Sequence, residues 1–155
     1  MYKDEEIDLQ TMFRQYYVSA ADVEPAEHDF LLGDKRFPLG EISIIAGAGG
    51  VGKGQLACAH IALATRGCSL SGDCVGEPVR CMFISAEDTA SDIRTRLERS
   101  QFRADMSMVM IQDKVSSYKY KMDLSEELAQ TKLEALILDT RSRLVYIDPL
   151  QAFVG

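Results

Sequence analysis

Residues 47–54 read Gly47-Ala48-Gly49-Gly50-Val51-Gly52-Lys53-Gly54, and they directly follow the apolar run Ile42-Ser43-Ile44-Ile45-Ala46. An apolar strand, a glycine loop and a lysine at the head of a helix form one local unit. Glycines let backbone N–H groups turn inward around the phosphates of a nucleotide, the helix start adds a favourable dipole, and the lysine brings a point charge to the terminal phosphates. The octet therefore predicts a P-loop, with Gly47, Ala48, Gly49, Gly50, Val51, Gly52 and Lys53 as the phosphate cradle. Its last position departs from the pattern. A Ser or Thr there would offer a hydroxyl to Mg²⁺, whereas Gly54 offers nothing and weakens the first helical turn by up to about 1 kcal/mol relative to Ala. A water can fill the vacant metal position, and Gln55 is a longer and poorer substitute.

The 155 residues suffice for one domain with a core. Seventeen basic against 24 acidic residues give a net charge of −7, which disfavours stand-alone nucleic-acid binding, because Lys and Arg neutralising phosphates drive that affinity. Cys58, Cys68, Cys74 and Cys81 form no CxxC pair, so buried free thiols are expected in preference to zinc or disulfides. The start carries neither the basic nor the apolar region of a secretion signal, and no stretch of 18 apolar residues occurs. The expectation is a cytoplasmic protein with no membrane partner.

Leu9, Met12, Phe13, Tyr16 and Tyr17 share one face of a predicted helix over 5–17. That face packs on its own domain or docks on a neighbouring subunit. Residues 1–34 read as this helix plus an approach segment, with a short extended piece at Phe30-Leu31-Leu32, and 35–155 as the core. Four apolar runs, 42–46, 81–86, 108–111 and 144–147, scarcely alternate with polar residues, as expected of parallel strands buried on both faces. Helical stretches are predicted over 53–66, 89–100 and 125–140, the last with Ser125 as its cap. This order predicts an α/β fold with right-handed crossovers and a ligand at the carboxyl ends of the strands. Residues 114–121, with three lysines and two tyrosines, read as a solvated loop or hairpin, or as a contact for single-stranded nucleic acid.

Two acids fall at that strand edge. Leu144-Val145-Tyr146-Ile147-Asp148 is an apolar strand ending in Asp, the Walker B pattern, in which the Asp holds Mg²⁺. Many ATPases place a Glu next, but here Pro149 follows. Glu87, at the end of Phe83-Ile84-Ser85-Ala86, can instead orient a water for attack on the γ-phosphate. It also reads as an acid favouring a helix start, and Asp88 as the cap of that helix.

Taken together, Gly47–Gly54, Phe83–Asp88, Arg94-Thr95-Arg96-Leu97 and Tyr146–Leu150 resemble the RecA-like ATPases of the RepA and DnaB hexameric helicase type, the RepA-like branch most of all. The resemblance spans roughly residues 35–155. It implies a RecA-like core with a mostly parallel sheet, ATP and Mg²⁺ as ligands, a homo-hexameric ring with ATP between subunits, and a motor role in DNA replication or a related transaction. It implies catalysis by Glu87 and Lys53, and an arginine stacked on adenine, which falls on Arg96, although Arg94 or a surface ion pair are competing readings of those residues. It further implies strands beyond the Walker B segment, so the chain reads as truncated there. A nucleotide-gated module without turnover, and a small-molecule kinase using Arg94, Arg96, Arg99 and Arg103 as a lid, are the alternatives.

Overall fold

The computed structural model describes residues 17–25, 27–74, 76–120 and 122–154. The predicted helix over 5–17 falls almost wholly outside them. Within them are four α-helices, α1 (Lys53–Ala64), α2 (Ala90–Arg99), α3 (Lys114–Tyr120) and α4 (Glu127–Thr140), and three strands, β1 (Arg80–Ser85), β2 (Val109–Gln112) and β3 (Ser142–Asp148). The strands form one all-parallel sheet in the order β2-β1-β3.

The continuous apolar character of β1 follows from its central place. Cys81 and Phe83 enter a cluster with Ile61 of α1 and with Ile93 and Leu97 of α2. Met82 and Ile84 face the other way and join Phe153, with Leu133 and Leu136 of α4 packed against them. Alternation along the strand thus feeds two cores. Each such fully buried side chain contributes about 1.5–3 kcal/mol relative to an exposed one.

Several expectations need correction. The run Ile42–Ala46 is not a strand. It has no ladder partner among the described residues, and Ile42 and Ile44 are exposed. A cavity of about 1390 Å³ lies between it and β3, with Leu144 to Asp148 on its far wall. Hydrophobicity supplied the strand signal, but a strand needs a neighbouring backbone. Phe30-Leu31-Leu32 is extended only at Phe30. Phe30 bridges to Pro38, and Leu31–Gly33 form a 3₁₀ turn.

The lysine-rich segment is helix α3, not a loop. Asp113 accepts the backbone N–H of Ser116, as an N-cap does, and Ser117 Oγ donates to the carbonyl of Ser85 at 2.9 Å. Ser125 does not cap α4, because its backbone N–H and hydroxyl are both committed to Asp123. The cap of α2 is Thr89 rather than Asp88, in a reciprocal capping box with Asp92.

The cysteine expectation is half right. Cys58 and Cys81 are buried free thiols, whereas Cys68 and Cys74 form a disulfide. Gly72, with φ of 95°, turns the intervening loop, and Ser69 N–H donates to the carbonyl of Asp73. The two cysteines are thereby brought opposite one another across an isolated antiparallel bridge.

Candidate nucleotide-binding site

The glycine loop turns through two left-handed positions, Gly50 at φ 77° and Gly52 at φ 94°, which side chains with a Cβ adopt only under strain. Gly52 is the N-cap of α1 and contributes no side-chain hydrogen bond to it, so the first backbone N–H groups of a 12-residue helix are left for an anion. Lys53 Nζ donates to the carbonyls of Gly47 (2.9 Å) and Ala48 (3.0 Å). The ammonium is therefore folded over the loop it is expected to serve. Gly47, Gly49, Gly50, Gly52, Lys53, Gly54 and Gln55 all line the large cavity, while Ala48 and Val51 do not.

The two acids meet at the same mouth. Ser85 pairs in register with Asp148 at the carboxyl ends of β1 and β3, and Ala86 N–H donates to the Asp148 carbonyl. The chain then turns, and Ser85 Oγ accepts the backbone N–H groups of Glu87 (3.2 Å) and Asp88 (3.0 Å). Glu87 is exposed at the cavity wall and Asp148 half-buried in it. Ser85 is a positioning residue that the sequence reading passed over. Its signal was a hydroxyl residue ending the apolar run Cys81-Met82-Phe83-Ile84.

Arg96 forms an ion pair, as one of the readings of its sequence position allows. Its Nη1 and Nη2 donate to Oδ2 and Oδ1 of Asp88 at 2.5 and 2.7 Å, a bidentate fork. The guanidinium lies at the head of α1. The point where a Cβ on Gly54 would stand is 3.3 Å from Arg96 Nη1 and 3.4 Å from Asp148 Oδ2. One turn further along α1, burial pushes the Cys58 thiol up to about 11, so it stays protonated and does not act as a nucleophile near neutral pH.

These residues fit Mg²⁺ poorly. In the metal role expected of it, Asp148 would have no hydroxyl from Gly54 beside it, a fixed cation next to the same point, and a neighbouring carboxylate, Asp88, already taken up by that cation. Magnesium requires near-octahedral oxygen donors. Among the described residues no cluster of three or more His, Cys, Asp or Glu is placed to hold a metal. Of Arg94, Arg96, Arg99 and Arg103, only Arg96 lines the cavity, and Arg94 pairs with Glu98 along α2.

No helix among the described residues is long and apolar enough to cross a membrane. A family model described as an AAA domain matches residues 9–155. No curated protein and no solved structure matches the chain. With a glycine loop heading α1, acids at the ends of two neighbouring parallel strands and a match over nearly its whole length, the chain belongs to the AAA-domain family of P-loop ATPases.

Proposed function

We propose that this protein binds ATP at residues 47–54 and hydrolyses it slowly, as the motor portion of a RepA-like helicase acting in DNA replication or a related DNA transaction. The observation that carries the reading is the convergence of Lys53, Glu87 and Asp148 on one cavity. The phosphates lie over the loop and the open start of α1, and Lys53 leaves the carbonyls of Gly47 and Ala48 to meet them. Glu87 takes a proton from a water as its oxygen attacks the γ-phosphorus, and the bond to the ADP oxygen breaks. Lys53 stabilises the charge that develops. The cytoplasm as its compartment and a homo-hexameric ring as its assembly belong to the same reading.

Gly54 favours a second reading, a nucleotide-gated interaction module that does not turn over. A small-molecule kinase has less support, since Arg94 and Arg96 are engaged by Glu98 and Asp88. ATPase assays with and without single-stranded DNA separate the three. A motor turns over faster with DNA, a kinase is indifferent to it, and a module shows no turnover in either condition.

A further inference from the structure

The absent side chain at Gly54 and the placement of Arg96 belong together. Any residue larger than glycine would bring its first carbon within 3.3 Å of the guanidinium and 3.4 Å of the Asp148 carboxylate. The space in which other P-loops carry a hydroxyl is here the approach of an arginine. That arginine is well fixed. Asp88 forks it, and Asp88 is itself held in a turn closed by the buried hydroxyl of Ser85. The side chains of Arg96 and Asp88 are only 31% and 20% exposed, so the charge acts with less solvent screening than a surface pair would.

We propose that Arg96 is the resident cation of the phosphate site, standing in for the divalent metal that Gly54 cannot help to bind. The proposal rests on the nucleotide-binding reading above and extends it. A guanidinium has five N–H donors. Two are spent on Asp88, and Nη1, which keeps a second N–H, lies 3.3 Å from the point where a Gly54 Cβ would stand, at the P-loop end of α1. Being planar and weakly hydrated, a guanidinium enters such a site at less desolvation cost than an ammonium, and it recognises phosphate oxygens directionally. Nucleotide affinity then depends little on Mg²⁺ and strongly on Arg96.

The test is calorimetric titration of ATP into the intact chain, in Mg²⁺ and in chelator, for the wild type, Arg96→Ala, Arg96→Lys and Gly54→Ser. In the wild type the affinity changes less than about threefold on removing Mg²⁺, and in chelator Arg96→Ala weakens it about tenfold or more, the scale of one charge-assisted hydrogen bond. Arg96→Lys restores part of that loss. Gly54→Ser crowds the guanidinium and supplies a hydroxyl, so its affinity becomes tighter in Mg²⁺ than in chelator by about fivefold or more. A wild type that loses about tenfold or more in chelator, with Arg96→Ala no weaker than wild type, overturns the proposal and leaves nucleotide binding intact. No heat from ATP under either condition overturns the nucleotide-binding reading itself.

Discussion

His60, on the helix that follows the glycine loop, shares a 2.7 Å hydrogen bond through Nδ1 with the hydroxyl of Tyr146 on β3, while its Nε2 is buried without a partner among the described residues. The ring is fully buried and lies 4.3 Å, centroid to centroid, from Phe37. Burial lowers its pKa from 6.5 to about 4, outweighing the opposing pull of Asp34. The unfolded chain therefore takes up this proton near pH 6.5 and the folded chain only near pH 4. Stability is complete above the higher value and falls as pH drops through the interval. Urea unfolding at pH 7 and pH 5 is expected to differ by about 2 kcal/mol from this group, rising to about 3 by pH 4. His60→Phe flattens that dependence, and an unchanged slope in the variant would remove His60 as its source.

Gly67 crosses Gly76 at close range. Gly67 has φ of 73°, its carbonyl accepts the Gly76 N–H at 3.1 Å, and a Cβ on it would overlap the Gly76 carbonyl. Gly67→Ala is expected to cost about 2 kcal/mol or more, from left-handed strain plus steric conflict. Gly72→Ala, at φ 95° with open space around it, should cost about 1 kcal/mol from strain alone. Chemical denaturation of the two variants measures the difference, and equal losses would contradict the crossing.

Cys68 and Cys74 close a short loop with a sequence separation of 6. Chain-entropy arguments assign such a closure about 2 kcal/mol, so Cys74→Ser should lower unfolding free energy by that order. The denatured, unreduced protein should titrate as two thiols, Cys58 and Cys81. In the folded state both should alkylate slowly, since burial pushes them to about 11 and about 12. Four titratable thiols in the denatured, unreduced chain would rule the disulfide out.

Glu87→Gln keeps the shape of the turn after β1 and removes the base. If Glu87 orients the attacking water, turnover falls about 10²–10⁴-fold while ATP affinity stays within about threefold. A matched loss of affinity would instead make Glu87 a binding or folding residue. Single-turnover kinetics beside titration calorimetry separates the two.

Much of this site was legible because its signals are local. Glycines preceding Lys53 carry their own loop geometry, and apolar runs ending at Ser85 and Asp148 declare buried parallel strands whose ends share an edge. What escaped depended on distant partners. Ile42–Ala46 has the composition of a strand, but pairing is a property of two backbones, and no described strand lies next to it. The lysines and tyrosines of α3 look like a loop until Asp113 caps them and Ser117 ties them to β1. Arg96 was readable as an arginine on the right helix. That it reaches across to Asp88 and the head of α1 follows from how α2 packs on α1, which no spacing rule contains.

The central claim is that the amides of the glycine loop, closed by Lys53, receive a triphosphate. Titration calorimetry of ATP and ADP against the wild type and Lys53→Ala tests it most directly. The account predicts saturable heat for the wild type and an affinity weakened by about tenfold or more in the variant. No heat for either nucleotide, or equal binding by both proteins, would contradict it.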